Sequence, residues 1–204
     1  MSLSFAEYRL PRGRHGIPRE QVEANQRWRL LGACADVLRE RGYARTTVAQ
    51  VTSEAAVSKA TFYAHFDGLA DCILQTYRVA TRSFLELVAE SCERSSEAPL
   101  AQLMQAVLEV LAAEPSTMHV LTDPALDDVP GVADTRAGLL ECCVSRLASP
   151  HAGLGGNPDA ESRIEQLLRG TQGLLAHRLS GAGDQIQSQE LAQILSLLSA
   201  PPPA

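Results

Sequence analysis

The stretch from Thr46 to Phe66, TTVAQVTSEAAVSKATFYAHF, leaves this chain little choice of local structure. It reads as two short helices joined by a tight turn. Thr47 is an N-cap, and Gln50 stands three residues on, the spacing of a capping box. Val48, Val51 and Thr52 then share one face at helical spacing, and the helix is expected to end near Ala55 or Ala56. Ser58 is the next N-cap, so the second helix opens with Lys59, Ala60 and Thr61. Phe62 and Phe66 lie four apart and should pack inward, which leaves Lys59, Thr61, Tyr63 and His65 pointing elsewhere. A helix pair of this size is a means of presenting one helix to a DNA major groove. An ammonium, hydroxyls and an imidazole on the outward side suit phosphate oxygens and base edges.

The segment upstream completes a small domain. Trp28 to Arg41, WRLLGACADVLRER, carries Leu30, Leu31, Ala33, Cys34, Val37 and Leu38 on an apolar stripe. It closes on Gly42-Tyr43, a glycine C-cap followed by an aromatic that can pack back.

In order and spacing, Thr47, Val51, Ala55, Val57, Ser58, Thr61, Tyr63, His65 and Phe66 resemble the helix-turn-helix of the tetracycline-repressor (TetR) family. That pattern runs T-x-x-x-I/V-A-x-x-A-G-V-S-x-x-T-x-Y-x-H/Y-F. The likeness is strong over the first third of the chain and beyond it rests on length and helical character. It implies an all-α fold, with a three-helix DNA-binding domain at residues 21–68 and a helical ligand-binding and dimerisation domain at 69–200. Base edges would be reached by Lys59, Ala60 and Thr61, and phosphates held by Thr47, Tyr63 and His65, with Ser58 also among the DNA-binding residues. Two departures matter. Ala56 stands where the family carries Gly, and is expected to keep a negative φ. Leu69 stands where the family has a lysine that contacts a phosphate, which leucine cannot do. Either affinity is lower or arginines elsewhere compensate.

Residues 1–20 are a candidate for that compensation. Arg9, Arg12, Arg14, His15 and Arg19 sit among two glycines and two prolines, so this arm is no helix interior. Its GRHG run resembles the arm of actinobacterial members of the family. Basic arms ahead of such domains enter the minor groove, which makes Arg12 and Arg14 candidate DNA contacts; a flexible solvated tail is the alternative.

Charge divides the same way. Residues 1–66 hold ten Lys+Arg against six Asp+Glu, a balance of +4, and the remainder holds eight against eighteen, a balance of −10, together the net −6. A basic head on an acidic body is the footprint of a protein whose head alone meets a polyanion. Lys59 is the sole lysine; the other basic residues are arginine. No run of about eighteen apolar residues predicts a membrane span, and the basic N-terminus lacks the apolar region of a secretory signal. The cysteines, Cys34, Cys72, Cys92, Cys142 and Cys143, are odd in number and form no CxxC. Reduced, mostly buried thiols in a cytoplasmic, nucleoid-associated protein are the expectation.

The body reads as successive helices: Leu69 to about Cys92, Pro99–Ala113, Ser116–Thr122, Val132–Ala148, Ala160–Leu179 and Gln185–Leu198. Pro124 and Pro130 bracket a break, and residues 149–159 form a connection. The last two helices carry wide apolar stripes, including Leu168, Thr171, Leu175, Leu191, Ile194 and Leu198. By resemblance these form a four-helix homodimer interface, against burial in the chain's own core. Two heads related by a twofold axis read a palindrome. By resemblance too, a small-molecule effector enters among the middle helices. Candidate lining residues are Leu103, Met104, Val107, Met118, Leu121, Leu139, Cys142, Cys143 and Arg146, all of which also suit plain core. Arg146 or His119 could select an anionic or hydrogen-bonding effector.

No catalytic, metal or cofactor site is expected. Cys142-Cys143 with His119, His151 or His177 has nothing to fix a nucleophile–base geometry, and there is no HExxH, P-loop or GxGxxG. The reading is a ligand-responsive regulator that binds a palindromic operator as a homodimer, with repression expected and activation open. The rivals are a protein-interaction adaptor on the same fold and a thiol redox sensor.

Overall fold

Six helices and two 3-10 turns make up the described part of the computed structural model, which covers residues 18–94 and 115–147; all of it is helix, turn or loop. The helices are α1 (Arg19–Arg41), α2 (Val48–Glu54), α3 (Lys59–His65), α4 (Leu69–Arg94), α5 (Pro115–Thr122) and α6 (Val132–Leu147). Several expectations fall outside the described residues: the arm with Arg12 and Arg14, the helix with Leu103, Met104 and Val107, and the two last helices with Leu168, Thr171, Leu175, Leu191, Ile194 and Leu198. The side chain of Arg146 lies outside them as well.

The helix α1 begins well upstream of its apolar stripe. Pro18 precedes it and accepts from the Gln21 N–H at 3.0 Å. Proline suits that position because its fixed φ and missing N–H cost nothing before the first turn. Its first turns are polar and carry the Arg19–Glu23 pair at 2.7 Å. The apolar stripe from Leu30 to Leu38 is buried. Gly42 then ends the helix at φ +72°, donating its N–H to the Leu38 carbonyl at 2.8 Å. A left-handed residue is cheap only without a Cβ.

Both short helices start as their caps dictate. The Gln50 N–H donates to the Thr47 hydroxyl, and the Gln50 side chain accepts from the Thr47 N–H at 2.9 Å, a complete capping box. The Thr61 N–H donates to the Ser58 hydroxyl at 3.0 Å. Val51, Ala55, Phe62 and Phe66 are buried together with the α1 stripe, and the Phe62 and Phe66 rings lie 5.4 Å apart. Seven-residue helices are not stable alone, so this shared apolar core is what holds α2 and α3.

Residues 18–83 with 115–136 form one compact unit; residues 84–94 and 137–147 belong to a second. In the first, α4 buries Cys72, Ile73, Thr76, Tyr77, Ala80 and Thr81, one face at helical spacing. α5 packs on α1. There Ser116 donates to the Asp36 carboxylate at 2.7 Å and accepts from Arg39 at 3.0 Å. Gly131 (φ +85°) lies so close to α4 that a Cβ would stand 3.2 Å from a Leu74 methyl. In the second unit, Leu139, Leu140 and Cys143 of α6 are buried.

Candidate nucleic-acid interface

The turn between α2 and α3 sets how α3 is offered to solvent. Ala56 has φ +50°, so the expectation of a negative φ is corrected. Left-handed geometry in a residue with a Cβ costs on the order of 1–2 kcal/mol. The compensation comes from α1. The Arg29 guanidinium donates through Nη2 to the Ala55 carbonyl and, at 3.3 Å, to the Ala56 carbonyl. It thereby satisfies carbonyls that the end of α2 leaves without helical partners. The Val57 N–H closes the turn on the Thr52 carbonyl at 3.0 Å. Arg29 was not among the residues singled out in the sequence. Its partner carbonyls lie 26 and 27 positions away, which no local pattern reveals.

Around α3, successive residues rotate by about 100°. With Phe62 and Phe66 inward, Ala60 and Ala64 form the row opposite the core, and both are exposed. Lys59 and Tyr63 flank that row on one side, and Thr61 and His65 on the other. Lys59 is exposed, and Tyr63 is 59% exposed with its ring edge-on to Phe62 at 5.4 Å. Thr61 and His65 are half-buried. The two hydroxyls are occupied with each other: Ser58 Oγ and Thr61 Oγ1 lie 2.9 Å apart, and Ser58 also caps the helix.

His65 is held below the ordinary histidine value, first by burial and then by the Arg27 guanidinium, with Glu23 working the other way. The neutral imidazole is therefore the ground state near pH 7. Arg27 itself lies 5.1 Å over the Phe66 ring and donates to Gln75 at 3.4 Å. Gln75 donates to Asp71 at 3.4 Å, and Asp71 accepts from the Asp67 N–H at 3.2 Å. This chain of contacts ties α1 to the start of α4.

At that start Leu69 is half-buried, with Asp67 and Asp71 nearby in sequence. The first turn of α4 thus offers a phosphate no cation. Elsewhere in the three-helix head, Arg19, Arg27, Arg29 and Arg39 each have protein partners. Arg45, two residues before the Thr47 cap, is exposed and commits only its Nε, to the Arg41 carbonyl at 3.2 Å. Thr47 is exposed. Thr47, Ser58, Lys59, Ala60, Thr61, Tyr63 and His65 are thus all on or beside α2 and α3.

The described effector candidates divide between the units. Met118 and Leu121 are buried on α5 in the first. Leu139 and Cys143 are buried on α6 in the second, where Cys142 is exposed. His119 Nε2 faces the Asp123 carboxylate at 3.4 Å. Arg136 donates to the Leu121 and Asp123 carbonyls at 3.0 and 2.8 Å and to Asp127 at 2.8 Å, and covers the Tyr77 ring at 5.4 Å. The hydroxyls of Tyr77, Thr81 and Thr117 are buried without hydrogen-bond partners among the described residues. Burial pushes the Tyr77 phenol up to about 12. Sequence patterning missed these three, since a threonine or tyrosine on a helix face gives no sign of whether its oxygen is paired.

Residues 30–75 match the family described as bacterial regulatory proteins, tetR family. No curated protein matches the chain. Among solved structures, the fatty acid degradation regulator FadR from Bacillus halodurans is similar with a TM-score of 0.68 at 14% identity, over 85% of this chain and 94% of that one. The regulatory protein TetR from Rhodobacter sphaeroides aligns with a TM-score of 0.66 at 21% identity, over 83% and 95%. A TetR-like transcriptional regulator from Rhodococcus sp. RHA1 aligns with a TM-score of 0.63 at 19% identity, over 93% and 96%. At these identities the likeness is one of fold.

Proposed function

We propose, from the premise that this chain is a regulator of the tetR family, that it binds a palindromic operator as a homodimer, represses, and is released by a small molecule. The observation that carries the DNA-binding reading is α3 itself. Its N-cap is made, Phe62 and the following Phe66 are buried, and its outer face presents Lys59, Ala60, Tyr63 and Ala64 to solvent. An exposed tyrosine beside an ammonium with no partner among the described residues suits a phosphate and a base edge better than it suits water alone.

Thr47, Tyr63 and His65 hold phosphates in this reading, and Arg12 and Arg14 of the arm reach the minor groove. The effector reading draws support from the unpartnered hydroxyls of Tyr77, Thr81 and Thr117. Each buried orphan costs about 1–3 kcal/mol, which a hydrogen-bonding effector or a water relieves. Binding that favours one of two states would then shift the population of DNA-competent dimers.

The adaptor reading has one observation in its favour, Leu69 and its acidic neighbours at the start of α4. The redox reading is disfavoured at Cys72, whose thiol is pushed far up by the hydrogen bond with Cys34 and by burial. A thiol held protonated is a poor nucleophile.

The test is selection of bound sequences from a random DNA library with the purified full chain at a stated salt concentration. An enriched palindrome, lost with Lys59→Ala and Tyr63→Ala, supports the regulator. A folded protein that enriches nothing overturns it in favour of the adaptor.

A further inference from the structure

We infer that the effector of this chain is an uncharged molecule with carbonyl or ether oxygens on an apolar frame, held between α4 and α5 by the hydroxyls of Tyr77, Thr81 and Thr117. This deepens the effector reading above and rests on it. The three residues are 0%, 8% and 1% exposed, and their oxygens have no hydrogen-bond partner among the described residues. The large majority of buried side-chain oxygens are paired. Three orphan hydroxyls in one compact unit therefore mark a place where the free protein is incomplete. Tyr77 and Thr81 stand one turn apart on the buried face of α4, and Thr117 stands one turn before Leu121 on α5. Arg136 joins the two helices: its guanidinium lies 5.4 Å over the Tyr77 ring and donates to the Leu121 carbonyl at 3.0 Å. Ile73 and Ala80 of α4 and Met118 and Leu121 of α5 add buried apolar surface.

Charge decides the class of ligand, because the ionic groups described at this place are already matched. Arg136 pairs with Asp127 at 2.8 Å and donates through its other two nitrogens to the Leu121 and Asp123 carbonyls. His119 faces the Asp123 carboxylate at 3.4 Å, and that carboxylate also accepts the Ala125 N–H at 2.9 Å. A carboxylate or phosphate ligand would find no free cation here among the described residues, and a cationic ligand no free carboxylate. Either would be buried with its charge unmatched, which is costly. What remains on offer is three hydroxyls, each able to donate one hydrogen bond. Burial pushes the Tyr77 phenol up to about 12, so it stays a neutral donor near pH 7. Oxygens that accept without bringing charge, on an apolar frame, complete such a site. The anionic selection that His119 suggests in the sequence is closed by Asp123.

The test has two arms, both on the full chain. Tyr77→Phe, Thr81→Val and Thr117→Val each delete one oxygen and keep the side-chain shape. Removing an orphan leaves nothing else unpaired, so each variant should melt ~2–4 °C above wild type. A Tyr77→Phe protein that melts no higher has lost a hydroxyl already partnered, by the chain or by water, and overturns the inference. The second arm adds methyl octanoate or methyl benzoate, and separately octanoate or benzoate, to the protein on its selected operator. The esters should raise the melting temperature and release the operator, and the carboxylates should do neither. Tyr77→Phe should weaken the ester response ~10-fold, the loss of one hydrogen bond. Release by a carboxylate at equal or lower concentration overturns the class of effector and keeps the effector reading. An operator that stays bound in the presence of all four compounds overturns both.

Discussion

At His65 the environment predicts a pH dependence with two opposite signs. Its value is lowered in the folded protein, so at pH just below 6.5 the unfolded chain binds a proton that the folded chain does not. This group's contribution to stability is intact above the unfolded value and is lost as pH falls through the depressed folded value. A phosphate at His65 reverses the preference, because it favours the imidazolium. Operator affinity should therefore rise as pH is lowered from 8 toward 5.5, while the melting temperature of the free protein drifts down. Fluorescence anisotropy titrations across that range check it, and His65→Gln should flatten the affinity trend. A flat trend in the wild type would remove His65 from the phosphate contacts. Cysteine reactivity separates in the same local way. Cys142 is exposed whereas Cys34, Cys72 and Cys143 are buried. Brief maleimide treatment of the native protein should label Cys142 ahead of those three, read by peptide mass spectrometry, and denaturant should bring in the rest. Prompt labelling of Cys72 would revive a thiol sensor.

Among the elements, the α2–α3 turn shows which parts of the interface were legible and why. The Thr47–Gln50 box and the Ser58 cap are interactions within four residues, so residue type and spacing were enough to place both helix starts. The burial of Phe62 and Phe66 followed from a spacing of four. What sequence could not supply was the sign of φ at Ala56, because that depends on a tertiary partner, Arg29. The length of α1 was hidden for a related reason: its first turns are polar, held by Pro18 and the Arg19–Glu23 pair rather than by an apolar stripe. Occupation of Thr61 by Ser58 was hidden too, since a hydroxyl can bond its own helix or a base with the same residue type. The turn yields a paired prediction. Ala56→Gly removes the Cβ strain but adds unfolded-state entropy, a net gain of roughly 0.5–1 kcal/mol and ~1–4 °C in melting temperature. Arg29→Ala leaves two carbonyls without their donor and should lose about 1–2 kcal/mol. Urea denaturation of both variants checks the signs; a destabilised Ala56→Gly would mean the turn is not strained as its φ implies.

For the whole molecule, the decisive quantity is the salt dependence of binding. The head carries a balance of +4 and the rest of the chain −10, so cations in the head must supply the counterion release that drives affinity. With Leu69 unable to contribute and four head arginines tied to protein groups, the other exposed arginines of the described head are Arg41 and Arg45, and Arg45 is the nearer in sequence to the Thr47 cap. It is exposed, beside the Thr47 cap, and mostly uncommitted. If two chains bind one palindrome, each substitution counts twice. Arg45→Gln should then lower the slope of log affinity against log salt by about 1.8, near 0.9 per lost phosphate contact. The affinity loss should be uniform across operator variants, since a phosphate contact carries no base information. Leu69→Lys should raise the slope by a similar amount. A second measurement separates charge from assembly. Leu168→Asp or Leu191→Asp in the expected dimer helices should convert the protein to monomers on sedimentation. The operator would then be bound by single heads, with about half the salt slope and affinity lower by several powers of ten. Should those variants remain dimeric, the interface lies elsewhere; should the wild type bind with a one-head slope, the palindrome requirement itself would fall.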